Sequence, residues 1–129
     1  MPYENANVST HDVLKMGTFV TLPPIITGEG TKNDEGKLRY DLIPAEPLEE
    51  LAKVYTIGSK KYGDWNWAKG IKWSRIIGAM LRHLYAWIRG RSVDPDDSQH
   101  PLASVAWCAF TLMWYEKYRK EYDDRFKEE

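Results

Sequence analysis

The chain has 129 residues, of which 43% are apolar and 29% charged, a mix that suits one folded domain and excludes a disordered or collagen-like chain. Eighteen basic against nineteen acidic residues leave a net charge of −1, which excludes a general basic coat for nucleic acid. The lone Cys108 cannot form an internal disulfide, no run nears the ~18 apolar residues of a membrane span, and residues 1–10 do not read as a signal peptide, so a reducing cytoplasm is expected.

Residues 1–31 show no sustained period. Phe19 to Leu22 could make a short strand, but Pro23-Pro24 and Gly28-Glu29-Gly30 interrupt it. This stretch reads as an N-terminal arm, and residues 32–129 as the folded domain. A polar loop, Lys32 to Asp41, leads to Leu42-Ile43-Pro44. Between residues 32 and 91 twelve basic residues face seven acidic ones, a surplus of five. A locally basic stretch broken by acidic clusters suits an anionic small ligand handled with a cation.

The first helix is expected from about Glu46, with Pro47 in its first turn. Leu48, Leu51, Ala52, Tyr55, Gly58 and Tyr62 form its apolar stripe, and Gly63 closes it. The turn Asp64 to Gly70 follows. A second helix spans about Trp73 to Ile88, with a broad apolar face of Trp73, Ile76, Ile77, Met80, Leu81, Leu84, Tyr85 and Ile88. Arg75, Arg82 and Arg89 recur every seven residues on another side. After the acidic loop Ser92 to Gln99, Pro101 opens a third helix whose stripe reads Leu102, Val105, Ala106, Ala109, Phe110, Met113 and Trp114. From Glu116 onward five basic and six acidic residues crowd together, the pattern of a solvated, fraying end. Three helices with short connections predict a small all-α bundle. Six Trp and eight Tyr exceed what it can bury alone, so completion by oligomerisation is expected.

Glu46, Glu49 and Glu50 stand three and four residues apart, so Glu46 shares a helix face with either partner, as a divalent ion requires of oxygen ligands. Acids in a first turn also simply complement the helix dipole. Asp94 and Asp97 are a second acidic pair, able to complete a carboxylate site or to shape a turn. His83 lies on or beside the apolar face of the second helix, and His100 flanks or caps the third. Cys108 reads as packing, without an adjacent base. Lys32, Lys37, Arg39, Lys60, Lys61 and Arg82 are candidate phosphate contacts, whereas the glycines form no Walker or Rossmann loop. Trp65, Asn66 and Trp67 could sandwich and read a base, or plug a turn.

Taken in order, Asp34-Glu35-Gly36-Lys37-Leu38-Arg39-Tyr40-Asp41-Leu42-Ile43-Pro44, Lys60-Lys61-Tyr62-Gly63-Asp64 with Asn66-Trp67, Arg82-His83-Leu84-Tyr85-Ala86-Trp87, Asp94 and His100-Pro101-Leu102-Ala103 resemble a known family. It is the phage dATP/dGTP diphosphohydrolase domain, a branch of the MazG-like all-α nucleotide pyrophosphatases, over roughly residues 32 to 115. The chain also resembles the branch found in phages that replace adenine by 2-aminoadenine, which implies that role. The resemblance implies a MazG-like bundle, a homo-oligomer of tetramer type, and no membrane or nucleic-acid partner. It implies hydrolysis of a purine deoxynucleoside triphosphate, dGTP and dATP, to the monophosphate and pyrophosphate with Mg²⁺ or Mn²⁺. Carried over residue by residue, Glu46, Glu49 and Glu50 become catalytic and metal-binding, with Asp94 and Asp97 as further metal ligands. Asn66, Trp67 and His83 become the base contacts, and the six cations above hold the phosphates. Unlike the family pattern, the helix 73–88 carries no acid, Gly90 is followed by Arg91, and His100 precedes Pro101. A non-catalytic nucleotide or nucleic-acid binding module and a helical assembly protein are the alternatives.

Overall fold

Helix boundaries follow the punctuation of the chain. In the computed structural model, which describes residues 22–128, α1 runs Ala45–Tyr62, α2 Trp73–Ile88 and α3 Pro101–Tyr118. Short 3₁₀ turns cover Tyr40–Leu42, Asn66–Lys69 and Lys120–Tyr122, and no strand occurs among the described residues. The fold is all-α, as expected. Of the possible strand at Phe19 to Leu22, residues 19–21 lie outside the described residues, and Leu22 has no regular structure. Among the described residues, no helix is long and apolar enough to cross a membrane.

The chain divides into two units, Met1–Lys37 and Leu38–Glu129. In the described part of the first, residues 22–37 are exposed, and Asp34–Lys37 forms a turn closed by Lys37 N donating to the Asp34 carbonyl at 3.0 Å. The second unit holds all three helices. It opens with the exposed ion pair of Arg39 and Asp41 at 2.7 Å.

Each helix end has a physical cause. Pro101 occupies the first turn of α3, and His100 caps it, its Nδ1 accepting from Leu102 N at 3.1 Å. A Schellman motif closes α2: Gly90 N donates to the Trp87 carbonyl at 2.9 Å and Arg91 N to the Ala86 carbonyl at 3.1 Å. The N-terminus of α2 lacks a cap of its own. Asp124 supplies one from 50 residues away, accepting from Ser74 N at 2.8 Å and from Ser74 Oγ at 2.5 Å. Those two bonds hold the Asp124 carboxyl below its ordinary pKa, so this cap operates at neutral pH and is lost as pH falls through the lowered value.

The residues after Glu116 therefore do not fray as expected. The helix continues to Tyr118, and the segment beyond it folds back on the start of α2. Trp73 Nε1 donates to the Arg119 carbonyl at 3.2 Å, and Arg119 Nε donates to the Ala68 carbonyl at 2.9 Å. The Arg125 guanidinium lies 4.7 Å from the Trp73 ring centroid, a cation–π contact. Charge density on the sequence hid these contacts because every partner lies about fifty positions upstream.

Helix α3 is central. It packs along α2, its largest contact, and also along α1. Apolar residues surround α3 on all sides, as suits a helix flanked by two others. Its buried face is Ser104, Cys108, Thr111 and Tyr115, not the stripe read from Leu102 to Trp114, of which Phe110 and Met113 are exposed. Thr111 stays satisfied in the core by donating to the Trp107 carbonyl at 2.8 Å. Trp73, Ile76, Cys108 and Tyr115 form the core, with Trp67, Trp107, Trp114 and Tyr122 packed around it. Leu48 and Tyr62 of α1 and Leu81, Tyr85 and Ile88 of α2, all read as buried, are exposed.

Gly70 joins the aromatic turn to α2 with φ +104°, and a Cβ there would run into the Tyr122 ring. Both the backbone and the space demand glycine. Gly70→Ala is expected to cost at least about 1–2 kcal/mol of stability, read as a lowered urea midpoint with an unchanged slope.

Candidate active site

Helices α1 and α2 both lie on α3 and bound a cleft of about 770 Å³ between them. Its walls are the second half of α1 from Val54 to Tyr62, the turn Gly63 to Trp67, and Ile71, Arg75, Ala79 and His83 leading along α2. Ser104, Trp107 and Cys108 of α3 form the floor, and Asp97 reaches in from the acidic loop. A volume of this size accommodates a nucleotide-sized ligand.

The turn is held from both sides. Gly63 N donates to the Ser59 carbonyl at 2.8 Å, and Ser59 Oγ donates to the Asp64 carboxylate. Tyr115, fully buried, donates its hydroxyl to the Trp67 carbonyl at 2.6 Å. The Trp67 ring meets Trp114 edge-on at 5.1 Å and 80°, and Tyr55 at 6.2 Å and 73°, favourable T-shaped geometries. Asn66 lies beside it on the cleft wall.

His83 Nδ1 lies 3.4 Å from Asp94 Oδ2, both side chains partly buried. Asp94 also shapes its own loop, its Oδ1 accepting from Asp96 N at 2.9 Å. Asp97 Oδ1 accepts from Gln99 N at 2.9 Å. Both aspartates thus serve as turn acceptors, and Asp94 also stands beside His83. Gln99 Oε1 is the buried side-chain polar atom without a partner among the described residues. Burial pushes the Cys108 thiol up to about 11, so it stays protonated at neutral pH and acts as core packing.

Of the residues given a possible ligand role from the sequence, the fold gathers Lys61, Trp65, Asn66, Trp67, His83 and Asp97 on the cleft. Arg75, Tyr55, Ser59, Asp64 and Trp107 join them; sequence reasoning gave none of these a ligand role. The seven-residue spacing of Arg75 and Arg82 was the one available signal for Arg75. Arg82 instead lies on a neighbouring groove with Tyr85, Arg89 and Arg91, and Lys60 is exposed outside the cleft. Arg39 is paired with Asp41, while Lys32 and Lys37 belong to the first unit.

Glu46, Glu49 and Glu50 occupy the start of α1 and do not line the cleft. Glu46, Glu50 and Val54 follow one another at four-residue steps, so the face carrying the two carboxylates runs into the cleft wall. Glu50 Oε1 accepts from Lys53 Nζ at 2.8 Å, whereas Glu46 and Glu49 have no ion-pair or hydrogen-bond partner on their side chains among the described residues. Among the described residues, no group of three or more His, Cys, Asp or Glu side chains converges as a metal cage. The pattern that remains is one or two carboxylates on a helix face, which fits a Mg²⁺-type ion completed by phosphate oxygens and water. Glu46 with Glu49 or Glu50 would hold it.

The family model described as "dATP/dGTP diphosphohydrolase, N-terminal" matches residues 27–125. A dATP/dGTP diphosphohydrolase of Salmonella phage PMBT28 is 34% identical over 96 residues, covering 74% of this chain and 33% of the relative. The chain thus spans about a third of that relative's length. No solved structure matches. Since the match extends through three helices, the aromatic turn and the segment that caps α2, the chain belongs to the dATP/dGTP diphosphohydrolase N-terminal family.

Proposed function

We propose that the protein hydrolyses purine deoxynucleoside triphosphates, dGTP and dATP, to the monophosphate and pyrophosphate with Mg²⁺ or Mn²⁺. The observation that carries this reading is the cleft between α1 and α2, in which aromatic rings, Asn66 and His83 meet the cations Lys61 and Arg75. The name of the Salmonella phage relative, a dATP/dGTP diphosphohydrolase, supports it. Aromatic walls suit a base, and the cations suit the polyphosphate it carries.

In the reaction, water adds to the α-phosphorus and the bond to the bridging oxygen of the β-phosphate breaks. The water oxygen stays with the monophosphate, and its proton passes to a carboxylate at the start of α1. Lys61 and Arg75 hold the departing pyrophosphate as charge gathers on it. Glu46, with Glu49 or Glu50, would hold a divalent ion, which would supply charge neutralisation and water activation. Asn66 and His83, the latter beside Asp94, hydrogen-bond the base or sugar in this reading.

The biological reading is supply of dGMP for 2-aminoadenine nucleotides and depletion of dATP and dGTP, in the cytoplasm of a phage-infected host. A homotetramer is the expected assembly, because Leu81, Tyr85, Ile88 and Met113 stay exposed on the isolated chain. The test is an anion-exchange product profile after incubation with each dNTP and Mn²⁺. Equimolar monophosphate and pyrophosphate from dGTP and dATP, abolished by EDTA, are expected. Salt-sensitive oligonucleotide binding without phosphate release would instead favour a non-catalytic binding module.

A further inference from the structure

Trp65 combines two costs that a folded chain ordinarily avoids. Its backbone is left-handed, φ 62° and ψ 15°, a region that suits glycine or asparagine. Its indole is 72% exposed, although burial of such a ring is among the larger gains available to a fold. The turn does not explain the choice of residue. What the turn uses is backbone, since the Trp65 carbonyl accepts from Ala68 N at 2.9 Å to start the 3₁₀ segment. Gly or Asn would do this with less strain. Strain retained together with exposure, on the wall of the cleft between α1 and α2, points to a ligand contact.

The neighbouring ring is differently employed. Trp67 is wedged edge-on against Trp114 and Tyr55, with its carbonyl fixed by Tyr115. Trp65 and Trp67 lie 5.9 Å apart at 49°. The two indoles therefore form a wedge that is closed by Trp67 and open along the face of Trp65. Asn66 stands between them in sequence, with an amide suited to the edge of a planar ring.

We propose that Trp65 is the stacking platform for the base and Trp67 the wall behind it, so that Trp65 sets how tightly a purine is held. This rests on the cleft's taking a purine nucleotide. A bicyclic base overlaps an indole more fully than a pyrimidine does, and the stacking requires no metal.

The test uses the full chain and the variants Trp65→Gly and Trp65→Phe. Calorimetric titration with dGMP and with dCMP is done in EDTA, melting temperature and oligomeric state are measured for each protein, and KM for dGTP is measured with Mn²⁺. For Trp65→Gly the dGMP dissociation constant is expected to rise about ten- to a hundredfold, and KM to rise with it. The dCMP constant should change less. Melting temperature should hold or increase, because glycine relieves the backbone. Trp65→Phe should fall between. An unchanged dGMP constant in Trp65→Gly overturns the proposal, as does a parent protein that binds no dGMP at millimolar concentration. A lowered melting temperature with unchanged dGMP affinity assigns the ring to packing, and dissociation of the oligomer with unchanged affinity assigns it to a contact between copies. Either overturns the proposal. Tight dGMP binding lost in Trp65→Gly, with no pyrophosphate released by the parent, leaves the platform standing and removes the hydrolase reading.

Discussion

Glu49→Gln and Glu50→Gln are each expected to lower pyrophosphate release from dGTP by about 10²–10⁴-fold, the range associated with losing a positioned acid–base group. The helix should survive both changes. Gln is nearly isosteric with Glu and forms helix about as well, and Glu49 is exposed. The Glu50–Lys53 pair is half exposed at 2.8 Å, so its loss costs little stability. Dipole-balancing acids would produce the opposite pattern, a small loss of stability with the rate intact. Rates at saturating Mn²⁺ and melting curves on the same preparations separate the two. Parent-like turnover in Glu46→Gln, Glu49→Gln and Glu50→Gln together would remove α1's carboxylates from the reaction.

Tyr115 is where the largest loss of stability is expected. Its ring is fully buried at the junction of α3, α2 and the aromatic turn. Tyr115→Ala should cost about 3–5 kcal/mol, from lost burial and the cavity left behind. Tyr115→Phe keeps the ring but removes the hydroxyl bond to the Trp67 carbonyl at 2.6 Å, leaving that oxygen only the bond from Gly70 N at 3.2 Å. That should cost about 0.5–1.5 kcal/mol. The two variants separate packing from anchoring in urea titrations. In the Phe variant, amide exchange should rise first at Asn66–Lys69, because the turn loses its tie to α3. If exchange there is unchanged, Tyr115 does not hold the cleft wall.

The helices were legible because their signals are local. Pro47, Gly63, Trp73, Gly90 and Pro101 mark the ends of α1, α2 and α3, and the observed boundaries fall within a residue or two of them. The buried face of α3 was not legible. With apolar side chains all around the helix, periodicity selects a plausible stripe but not the one that meets α2, and Ser104 and Thr111 look too polar for a core, where the Thr111 hydroxyl is satisfied by the Trp107 carbonyl. The site divided in the same way. Lys61, Asn66, Trp67 and His83 stood out by residue type and motif, and the fold brings them onto one cleft. Arg75 and the His83–Asp94 pair arise from α2 lying beside α1 and the acidic loop, which no local pattern encodes. Asp94 and Asp97 looked alike as turn formers and as ligands, and their hydrogen bonds show both supporting the loop.

The bonds from Ser74 to Asp124 span 50 residues, and this separation sets the order in which the domain assembles. Closing so wide a loop in an unfolded chain carries an entropic cost of about 3–4 kcal/mol before any contact repays it. Once α2 and α3 have paired, the Arg119–Asp124 segment already lies near its target and little of that cost remains. The hairpin of α2 and α3 is therefore expected to form first and the segment to close onto it late, so that loss of the Asp124 bonds in Asp124→Ala should speed unfolding more than it slows folding in stopped-flow measurements. Because the same segment bonds to Ala68 through Arg119, the floor of the cleft is then expected to take shape before the aromatic wall is locked against it.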